Sequence, residues 1–396
     1  MERSAVTPAD VAEITGLAEN LIRIPGHEEY PGKERDRGIF LCEWLRVNDV
    51  EVELQEVSDG RANVVACVKG RGGGPSLMLN GHLDTIPPYG MAEALTPRIR
   101  EGKLYGRGAA DMLGALAVMA FTLVKVRREG VQLRGDLLFS AVIGEESGSL
   151  GAWDLVAHKQ VKADYAIVGE PTRMRIATSH KGVEWLEARF EGKAAHGSSP
   201  EQGINAIYHA VSFVRQLRET YMRELATRRH PILGHSTVNV GEIKGGERPT
   251  VVAERCVVRI DRRYIPGETP ESVFAEMEEQ LQETAKREPE MKAVVERVPQ
   301  IAAVPHPAFE GEKDSPLTEI LASAYREETG EHSDVFGAHF WTDAALLSKY
   351  GGMECVICGP GNVEQAHSSE EYVELSQLAL AARIYLRTAT RLCGIR

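Results

Sequence analysis

Short apolar segments that run into glycine and then into an acidic or histidine side chain constrain the fold of this 396-residue chain more than any other feature. Four such segments are Ser76–Asn80 before His82 and Asp84, Leu137–Ile143 before Glu145 and Glu146, Tyr165–Val168 before Glu170, and Cys355–Cys358 before His367. Apolar runs of this length bounded by Gly and Pro are typical of buried strands. Because ligands gather at the carboxyl ends of strands in an open α/β sheet, we expect these side chains to meet at one edge.

Helical and strand patterns alternate from Thr7 to about Ser179, which predicts a layered α/β domain. The predicted helices are Thr7–Ile22, Arg35–Asn48 and Met112–Arg128, and the predicted strands are Val52–Val57, Asn63–Lys69, Ser76–Asn80, Leu137–Ile143 and Tyr165–Val168. Thr7 should cap the first helix, with Pro8 in its first turn. The glycine-rich segment 70–74 is predicted to be a hairpin turn rather than a phosphate cradle, because no helix follows it.

The middle of the chain, residues 180–297, changes pattern and is predicted to be an inserted domain. Its segments follow the β-α-β-β-α-β order of a ferredoxin-like α+β unit: Gly182–Gly192, Ile204–Arg223, Ser236–Ile243, Ala253–Arg263, Pro270–Arg287 and Lys292–Val298. The α/β pattern resumes in residues 298–396, so the insertion splits the domain that begins in residues 1–179. There, Ser315 should cap one helix, and Ser368 with Glu371 should form a capping box for the last.

Composition argues against some classes of partner. The formal net charge of −12 disfavours nucleic acid and anionic membranes. The apolar stretch Gly114–Val124 suits a core helix, and the first residues lack the apolar part of a signal peptide, so a cytoplasmic location is expected. Cys355-Val356-Ile357-Cys358 could be a redox or zinc motif, but its place within an apolar strand favours two buried cysteines.

The polar residues at the strand ends supply ligands for divalent metal ions. Carboxylate oxygen and imidazole nitrogen bind such ions, and two ions about 3.5–4 Å apart can share a carboxylate and a water. Five ligands suffice for the pair, and the sequence supplies His82, Asp111, Glu146, Glu170 and His367. Two carboxylates remain, Asp84 and Glu145. One should orient a ligand imidazole, and the other should accept a proton from the water.

Each of these residues also has a simpler interpretation. His82 alone could be a buried core histidine, Glu145 and Glu146 a solvated pair, and Asp111 the cap of the helix that follows it. The presence of all these residues together favours one metal site over separate roles for each. Asp84 lies two residues beyond His82, where it can accept from the second ring nitrogen, and adjacent glutamates point apart.

Five motifs, in order along nearly the whole chain, carry a resemblance to a known family. They are Gly81-His82-Leu83-Asp84-Thr85, Gly106-Arg107-Gly108-Ala109-Ala110-Asp111-Met112, Gly144-Glu145-Glu146, Gly169-Glu170-Pro171, and Gly359-Pro360-Gly361 through Ala366-His367. The chain resembles the dinuclear zinc amidohydrolase and peptidase family that includes acetylornithine deacetylase, succinyl-diaminopimelate desuccinylase, aminoacylase and glutamate carboxypeptidase. The resemblance implies a zinc-peptidase-like catalytic domain with an inserted lid.

The resemblance also assigns roles to the motif residues. It implies that His82 and Glu170 hold one metal ion, and that Glu146 and His367 hold the other. Asp111 would bridge the two ions, with a cis peptide bond to Met112. Glu145 would be the general base.

The inserted domain is implied to be a lid through which the chain forms a homodimer. His196 corresponds to the lid histidine that reaches a partner's active site and stabilises the oxyanion, and Arg263 to the arginine that binds a substrate carboxylate. Thr250 stands where relatives usually have Asn, so a hydroxyl replaces the amide there, and Gly361 is also expected at the substrate. A surface role for His196 and an ordinary salt bridge for Arg263 remain alternatives.

The expected activity is metal-dependent hydrolysis of the linear amide bond of an N-acyl amino acid. A water bridged between the two metal ions would attack, with Glu145 as general base. Glu170 favours a deacylase, because in this family Asp at that position tends to accompany amino- and dipeptidases. The alternatives are a dipeptidase or carboxypeptidase with the same site, or a non-catalytic binder of metal or of an N-acyl amino acid. Zinc is expected, although the same ligands suit cobalt and manganese.

Overall fold

The structure is a computed structural model that describes residues 6–395, and it divides into two compact units. The first comprises residues up to Thr178 together with Gly311–Gly337 and Thr342–Arg396, and the second comprises Ser179–Glu310 and Ala338–Trp341. That the first unit performs catalysis and the second acts as a lid stays a prediction.

Eighteen strands and eleven α-helices occur among the described residues. The strands are β1 (Glu51–Ser58), β2 (Arg61–Val68), β3 (Leu77–His82), β4 (Arg98–Arg100), β5 (Lys103–Tyr105), β6 (Leu137–Val142), β7 (Tyr165–Pro171), β8 (Ala177–His180), β9 (Gly182–Glu191), β10 (Arg229–His230), β11 (Gly234–His235), β12 (Thr237–Gly245), β13 (Arg255–Tyr264), β14 (Lys292–Arg297), β15 (Phe309–Glu310), β16 (Phe336–Ala338), β17 (Glu354–Gly359) and β18 (Tyr372–Glu374). The helices are α1 (Pro8–Arg23), α2 (Arg35–Val47), α3 (Gly114–Arg128), α4 (Leu150–Ala157), α5 (Ala206–Gln216), α6 (Met222–Thr227), α7 (Pro270–Ala285), α8 (Pro299–Ala302), α9 (Pro316–Thr329), α10 (Ala344–Lys349) and α11 (Leu375–Leu392).

The first unit is built on a mixed sheet in which β1, β2, β6, β3, β7, β17 and β8 are neighbours in that order. Strand β3 pairs in parallel with β6 and β7, and β17 pairs in parallel with β7. The carboxyl ends of these four strands therefore lie at one edge of the sheet, as the sequence predicts. This confirms the mixed α/β class.

The glycine-rich segment 70–74 is not a hairpin turn, and the prediction for it is wrong. Strand β6 lies between β2 and β3, pairing antiparallel with β2 and parallel with β3. The segment therefore joins two strands that are not neighbours. The pairing of β6 depends on contacts distant in sequence, which a local turn signal does not report.

Helix α3 forms the centre of the first unit's core. It packs against β3, β6 and β7 and also contacts α1 and α11. The stretch Ala109–Arg128 has the mean hydropathy of a membrane span, 1.7, but 89% of its apolar window is buried inside the unit. A core helix shows this combination, because it is apolar on every side.

The second unit has the predicted ferredoxin-like order. Its sheet runs β12-β13-β9-β14, with every neighbouring pair antiparallel. Helices α5 and α7 pack on this sheet and against each other, over a core that includes Leu186, Phe190, Phe213 and Ile260. The β-α-β-β-α-β prediction is confirmed.

The last helix differs from its predicted start. Helix α11 begins at Leu375 rather than near Ser368, and neither Ser368 nor Glu371 caps it. Residues Tyr372–Glu374 are instead extended as β18, which pairs with β5 in a three-stranded sheet that was not predicted. The capping-box prediction is wrong because Glu371 is fully buried and accepts hydrogen bonds from residues 107–111.

Candidate dinuclear metal centre

His82 is the last residue of β3, and only 1% of it is exposed. Its Nδ1–H donates to the backbone carbonyl of Asp84 at 2.9 Å, since a carbonyl oxygen only accepts. In the neutral ring Nε2 then carries a lone pair, as a metal ligand requires. Nε2 lies 3.1 Å from Oδ1 of Asp111 and 3.7 Å from Oε1 of Glu170.

The carboxylate of Asp111 lies between two imidazoles. Its Oδ1 faces His82, and its Oδ2 is 3.4 Å from Nε2 of His367. The same His367 nitrogen is 2.9 Å from Oε1 of Glu146. One carboxylate thus directs each oxygen at a different candidate ligand, which is the arrangement expected of a bridge between two cations. The peptide bond after Asp111 is cis, as the resemblance implies.

Glu145 and Glu146 lie in one turn of 3₁₀ helix between two left-handed glycines, Gly144 (φ +69°) and Gly148 (φ +119°). The glycines allow the sharp turn directly after β6. The carboxylate of Asp84 accepts from the backbone N–H of Glu145 at 3.1 Å and from that of Glu146 at 2.9 Å.

The two glutamate side chains diverge as predicted. Glu146 contacts His367, whereas the carboxylate of Glu145 makes no hydrogen bond or ion pair to any residue between 6 and 395. Asp84 contacts the second ring nitrogen of His82. Its backbone carbonyl is the close acceptor, and its carboxylate lies 3.6 Å from Nδ1 and also holds the turn after β6.

Close packing brings the segment that carries Asp111 against the sheet. A Cβ added to Gly81 would lie 2.5 Å from Cε of Met112, and one added to Gly169 would lie 2.4 Å from Cε of Met119. Side chains at these two positions would force the methionine side chains to move. The two glycines of the predicted motifs therefore leave room for Met112 and Met119 against the strands.

The electrostatics of the cluster fit divalent cations. Burial and the charges of Glu170 and Asp343 raise the pKa of Glu145 well above its usual value. Burial likewise raises the pKa of Glu170, with Asp111 adding to the effect. Contacts with the carboxylates of Asp111 and Glu146 raise the pKa of His367 to about 10.

No lysine or arginine described in the structure forms an ion pair with the carboxylates of Asp111, Glu145, Glu146 or Glu170. Candidate ligand atoms of His82, Asp111 and Glu146 all lie within 4.8 Å of one another. Two nitrogens and three carboxylates, mostly buried and short of positive charge, are a suitable donor set for two divalent cations.

The remaining candidates of the second unit lie on its loops and strands. His196 and Thr250 are exposed and lie on adjacent segments, where His196 bridges to Val251 and Gly197 N–H donates to the Thr250 carbonyl at 2.8 Å. Arg263, on β13, donates through Nε to both oxygens of Asp261, at 2.9 and 3.1 Å.

The tautomer of His196 is set locally. The backbone N–H of Ser198 donates to Nδ1 at 3.2 Å, and the Ser198 hydroxyl lies 2.7 Å from the same nitrogen, so Nδ1 is an acceptor. The proton of the neutral ring then lies on Nε2, which leaves an exposed hydrogen-bond donor.

Gly361 lies in the first unit with φ +93° and packs against Ala110, next to Asp111. Its backbone N–H donates to Oε1 of Gln377 at 2.8 Å. The predicted CxxC cysteines, Cys355 and Cys358, are free, buried thiols within β17. Burial raises the pKa of the Cys358 thiol to about 12.

Three buried polar residues near the site were not predicted to belong to it: Arg107, Asp343 and Glu371. Burial raises the pKa of Asp343 to about 7, and its charge acts on Glu145 and Glu170. Arg107 belongs to the motif Gly106–Met112, but no role was predicted for it. Asp343 directly precedes α10.

A buried imidazole–carboxylate cluster at the carboxyl edge of an α/β sheet defines a metal-dependent hydrolase of the amidohydrolase or peptidase class. Comparison with known proteins gives the family. Residues 78–391 match the model of peptidase family M20/M25/M40, and the chain belongs to that family.

Two curated relatives cover most of the chain. One is an N-formyl-4-amino-5-aminomethyl-2-methylpyrimidine deformylase from Halalkalibacterium halodurans, 28% identical, covering 97% of this chain and 95% of the relative. The other is an acetylornithine deacetylase from Myxococcus xanthus, 32% identical, covering 87% of each chain.

Solved structures share the fold at low identity. An M20-family metallo-carboxypeptidase from Sulfolobus solfataricus matches with a TM-score of 0.80 at 17% identity, covering 96% of this chain and 99% of that one. A dinuclear metal-binding M20 peptidase from Bacillus subtilis matches with a TM-score of 0.71 at 15% identity, covering 97% and 99%. The family and the candidate site together support two divalent metal ions.

Proposed function

We propose that this enzyme hydrolyses the linear amide bond of an N-acyl amino acid, acting as a deacylase. The observation that carries the proposal is the free, recessed carboxylate of Glu145 beside the candidate ligand Glu146. A structural carboxylate in such surroundings would be paired, whereas a general base must stay free to accept a proton. The deacetylase and deformylase among the relatives support cleavage of an acyl group from nitrogen.

His82 and Glu170 would hold one cation, Glu146 and His367 the other, and Asp111 both. When bound, the two cations supply Lewis-acid charge that makes water more acidic and polarises a carbonyl oxygen. Asp84 keeps His82 oriented through its carbonyl and holds the turn of Glu145 through its carboxylate. The chain's own contribution is thus to place donors and base before substrate arrives.

Glu145 moves the proton. Its carboxylate accepts a proton from the attacking water as the new C–O bond forms at the amide carbon. It then returns that proton to the amide nitrogen as the C–N bond breaks. The products are a carboxylic acid and a free amine, so one water is consumed in each turnover.

His196 would donate its Nε2–H to the developing oxyanion, for which its tautomer is already set. Arg263 would bind the carboxylate of the amino acid. Its Nε is engaged by Asp261, so recognition would use the two Nη groups. Thr250 and Gly361 are proposed as further substrate contacts, with the Thr250 hydroxyl in place of the amide common in relatives.

If the second unit is a lid, we also expect the chain to form a homodimer through it. Strand β12 is an edge of the second unit's sheet, and most of its residues are exposed or half-buried. The neighbouring surface of α5 exposes Tyr208 (71%) and Val211 (54%). An unpaired edge beside apolar side chains favours pairing with a second copy. Sedimentation analysis should give twice the mass of the chain, and a monomer at all concentrations would contradict this assembly.

A peptidase using the same site is the second candidate, since the structural neighbours include a carboxypeptidase. A non-catalytic binder is disfavoured by the free Glu145. The test is a panel of acetyl, formyl, succinyl and long-chain N-acyl amino acids beside dipeptides, with zinc, cobalt or manganese added. Deacylation faster than dipeptide cleavage is expected. Faster cleavage of dipeptides would show that the enzyme is a peptidase. Metal binding without any hydrolysis would favour a non-catalytic binder. The predicted cytoplasmic location stays a prediction.

A further inference from the structure

Glu371 is fully buried although it is a glutamate, and it lies four residues beyond the candidate ligand His367. Its Oε1 accepts from the backbone N–H of Ala110 at 3.0 Å and from that of Asp111 at 3.1 Å. These N–H groups lie in the segment before α3, where Asp111 (φ −128°, ψ 93°) and Met112 (φ −135°, ψ 37°) have non-helical dihedral angles. Buried backbone N–H groups need a hydrogen-bond partner, and the Glu371 carboxylate supplies one for both.

The second oxygen of Glu371 is also engaged. Oε2 accepts from Nη1 of Arg107 at 2.5 Å, and Nη2 of the same arginine donates to the Pro88 carbonyl at 3.1 Å. Both side chains are almost inaccessible, at 0% for Glu371 and 2% for Arg107. The backbone adds a further link, because Gly106 N–H donates to the Glu371 carbonyl at 3.2 Å.

These contacts join two segments that are distant in sequence and that each carry a candidate ligand. Segment 106–111 ends in Asp111, and segment 367–371 begins with His367. His367 has φ +62°, which is unfavourable for a residue with a side chain and needs support from its surroundings. The loop residues between His367 and Glu371 are exposed or half-buried, so the buried end of the segment is at Glu371.

We propose that Glu371, with Arg107, is a positioning residue that sets the separation of Asp111 and His367 and thereby the affinity for the cation these two ligands share. The inference rests on the proposed metal site but not on the proposed reaction. The Ser368–Glu371 spacing that suggested a helix cap is thus explained by a different partner. Partners behind metal ligands of this kind typically change metal affinity by about 10–100-fold when they are altered.

The test measures Co²⁺ binding to metal-free protein in competition with a chelator, together with the visible absorption of the bound Co²⁺, which depends on coordination geometry. Glu371→Gln keeps the shape of the side chain but turns an N–H group towards either Arg107 or the backbone donors. We expect one of the two Co²⁺ sites to weaken by about 10–100-fold, with an altered spectrum. Glu370→Gln, at the exposed neighbouring position, is the matched control and should leave both properties unchanged.

Far-UV circular dichroism and thermal unfolding show whether each variant is folded and how stable it is. They therefore distinguish a loss of ligand positioning from a loss of protein stability. A folded Glu371→Gln protein with wild-type Co²⁺ affinity and spectrum would overturn the proposal, even if it unfolded at a lower temperature. Should that variant fail to fold, Arg107→Lys, which keeps the charge but loses the two-pronged donor, decides by the same criteria. Wild-type protein that binds two Co²⁺ ions but hydrolyses nothing would refute the proposed function and leave this inference intact.

Discussion

The backbone N–H of Glu146 donates to Oδ2 of Asp84 at 2.9 Å, so the loop after β3 directly holds the turn after β6. The two residues are 62 positions apart in sequence. Asp84 also accepts a hydrogen bond from the N–H of Glu145 and orients His82. This one buried aspartate therefore connects the candidate ligands His82 and Glu146 with the proposed base, Glu145. Burial alone would raise the pKa of Asp84, but His82 and the backbone N–H groups of Glu146 and Glu145 lower it, so the carboxylate stays charged.

Glu145→Gln should reduce kcat by about 10²–10⁴-fold, because the amide cannot accept a proton from water. The metal content of the folded protein should stay at two ions per chain, since Glu145 is not a proposed ligand. Metal analysis and steady-state kinetics measure the two effects separately, with the exposed Glu51→Gln as control. If the variant lost a metal ion, Glu145 would belong to the ligand set instead.

Asp84→Asn should weaken metal binding by about 10–100-fold. The amide has one oxygen acceptor, so the N–H of Glu145 or of Glu146 loses its charged partner. Competition with a chelator gives the affinity, and the exposed Asp59→Asn is a matched control. Unchanged affinity would show that the carboxylate does not support the site.

His196→Ala should lower kcat by about 10²–10³-fold, as removal of an oxyanion donor does. Ser198→Ala removes the hydroxyl that lies 2.7 Å from Nδ1 of His196 but keeps the backbone N–H that also donates to it, so it should have a smaller effect. Comparing kcat for the two variants separates the effect of losing the imidazole from the effect of altering the loop that carries it. Equal kcat for His196→Ala and wild type would remove this residue from the mechanism.

His306 should make the stability of the second unit depend on pH. Burial, with a contribution from Arg263, lowers its pKa from 6.5 to about 4, so the folded state holds the ring neutral. As pH falls below 6.5 the unfolded chain binds a proton that the folded chain does not, and stability decreases until pH reaches about 4. The loss attributable to this group approaches about 3 kcal/mol.

The measurement for His306 is urea unfolding of metal-free protein at about pH 7 and about pH 4.5, for wild type and His306→Phe. Wild type should lose more stability than the variant between these conditions, because other titrating groups are common to both. The exposed His332→Phe serves as control. An identical pH dependence in His306→Phe and wild type would show that the buried ring is not the source.

The strand-end residues could be predicted because their signals are local. His82, Glu146 and Glu170 each follow or end an apolar strand, and parallel pairing then brings them together. Hydrophobic periodicity likewise predicts the inserted β-α-β-β-α-β unit.

The residues that support the site could not be predicted in the same way. Glu371 has the local pattern of a helix cap, and only a contact with residues about 260 positions earlier shows its partner. The place of β6 between β2 and β3 is a non-local choice of the same kind. Asp343 is buried through packing around it, which its own neighbours in sequence do not indicate.

Anomalous scattering from crystals grown with Zn²⁺ tests directly whether these side chains hold a pair of metal ions. We expect two zinc peaks per chain, with Asp111 bound to both. Ligand distances of about 2.0–2.2 Å are expected to His82 and Glu170 at one ion and to Glu146 and His367 at the other. A single peak, or two peaks with Asp111 bound to neither, would rule out the dinuclear site.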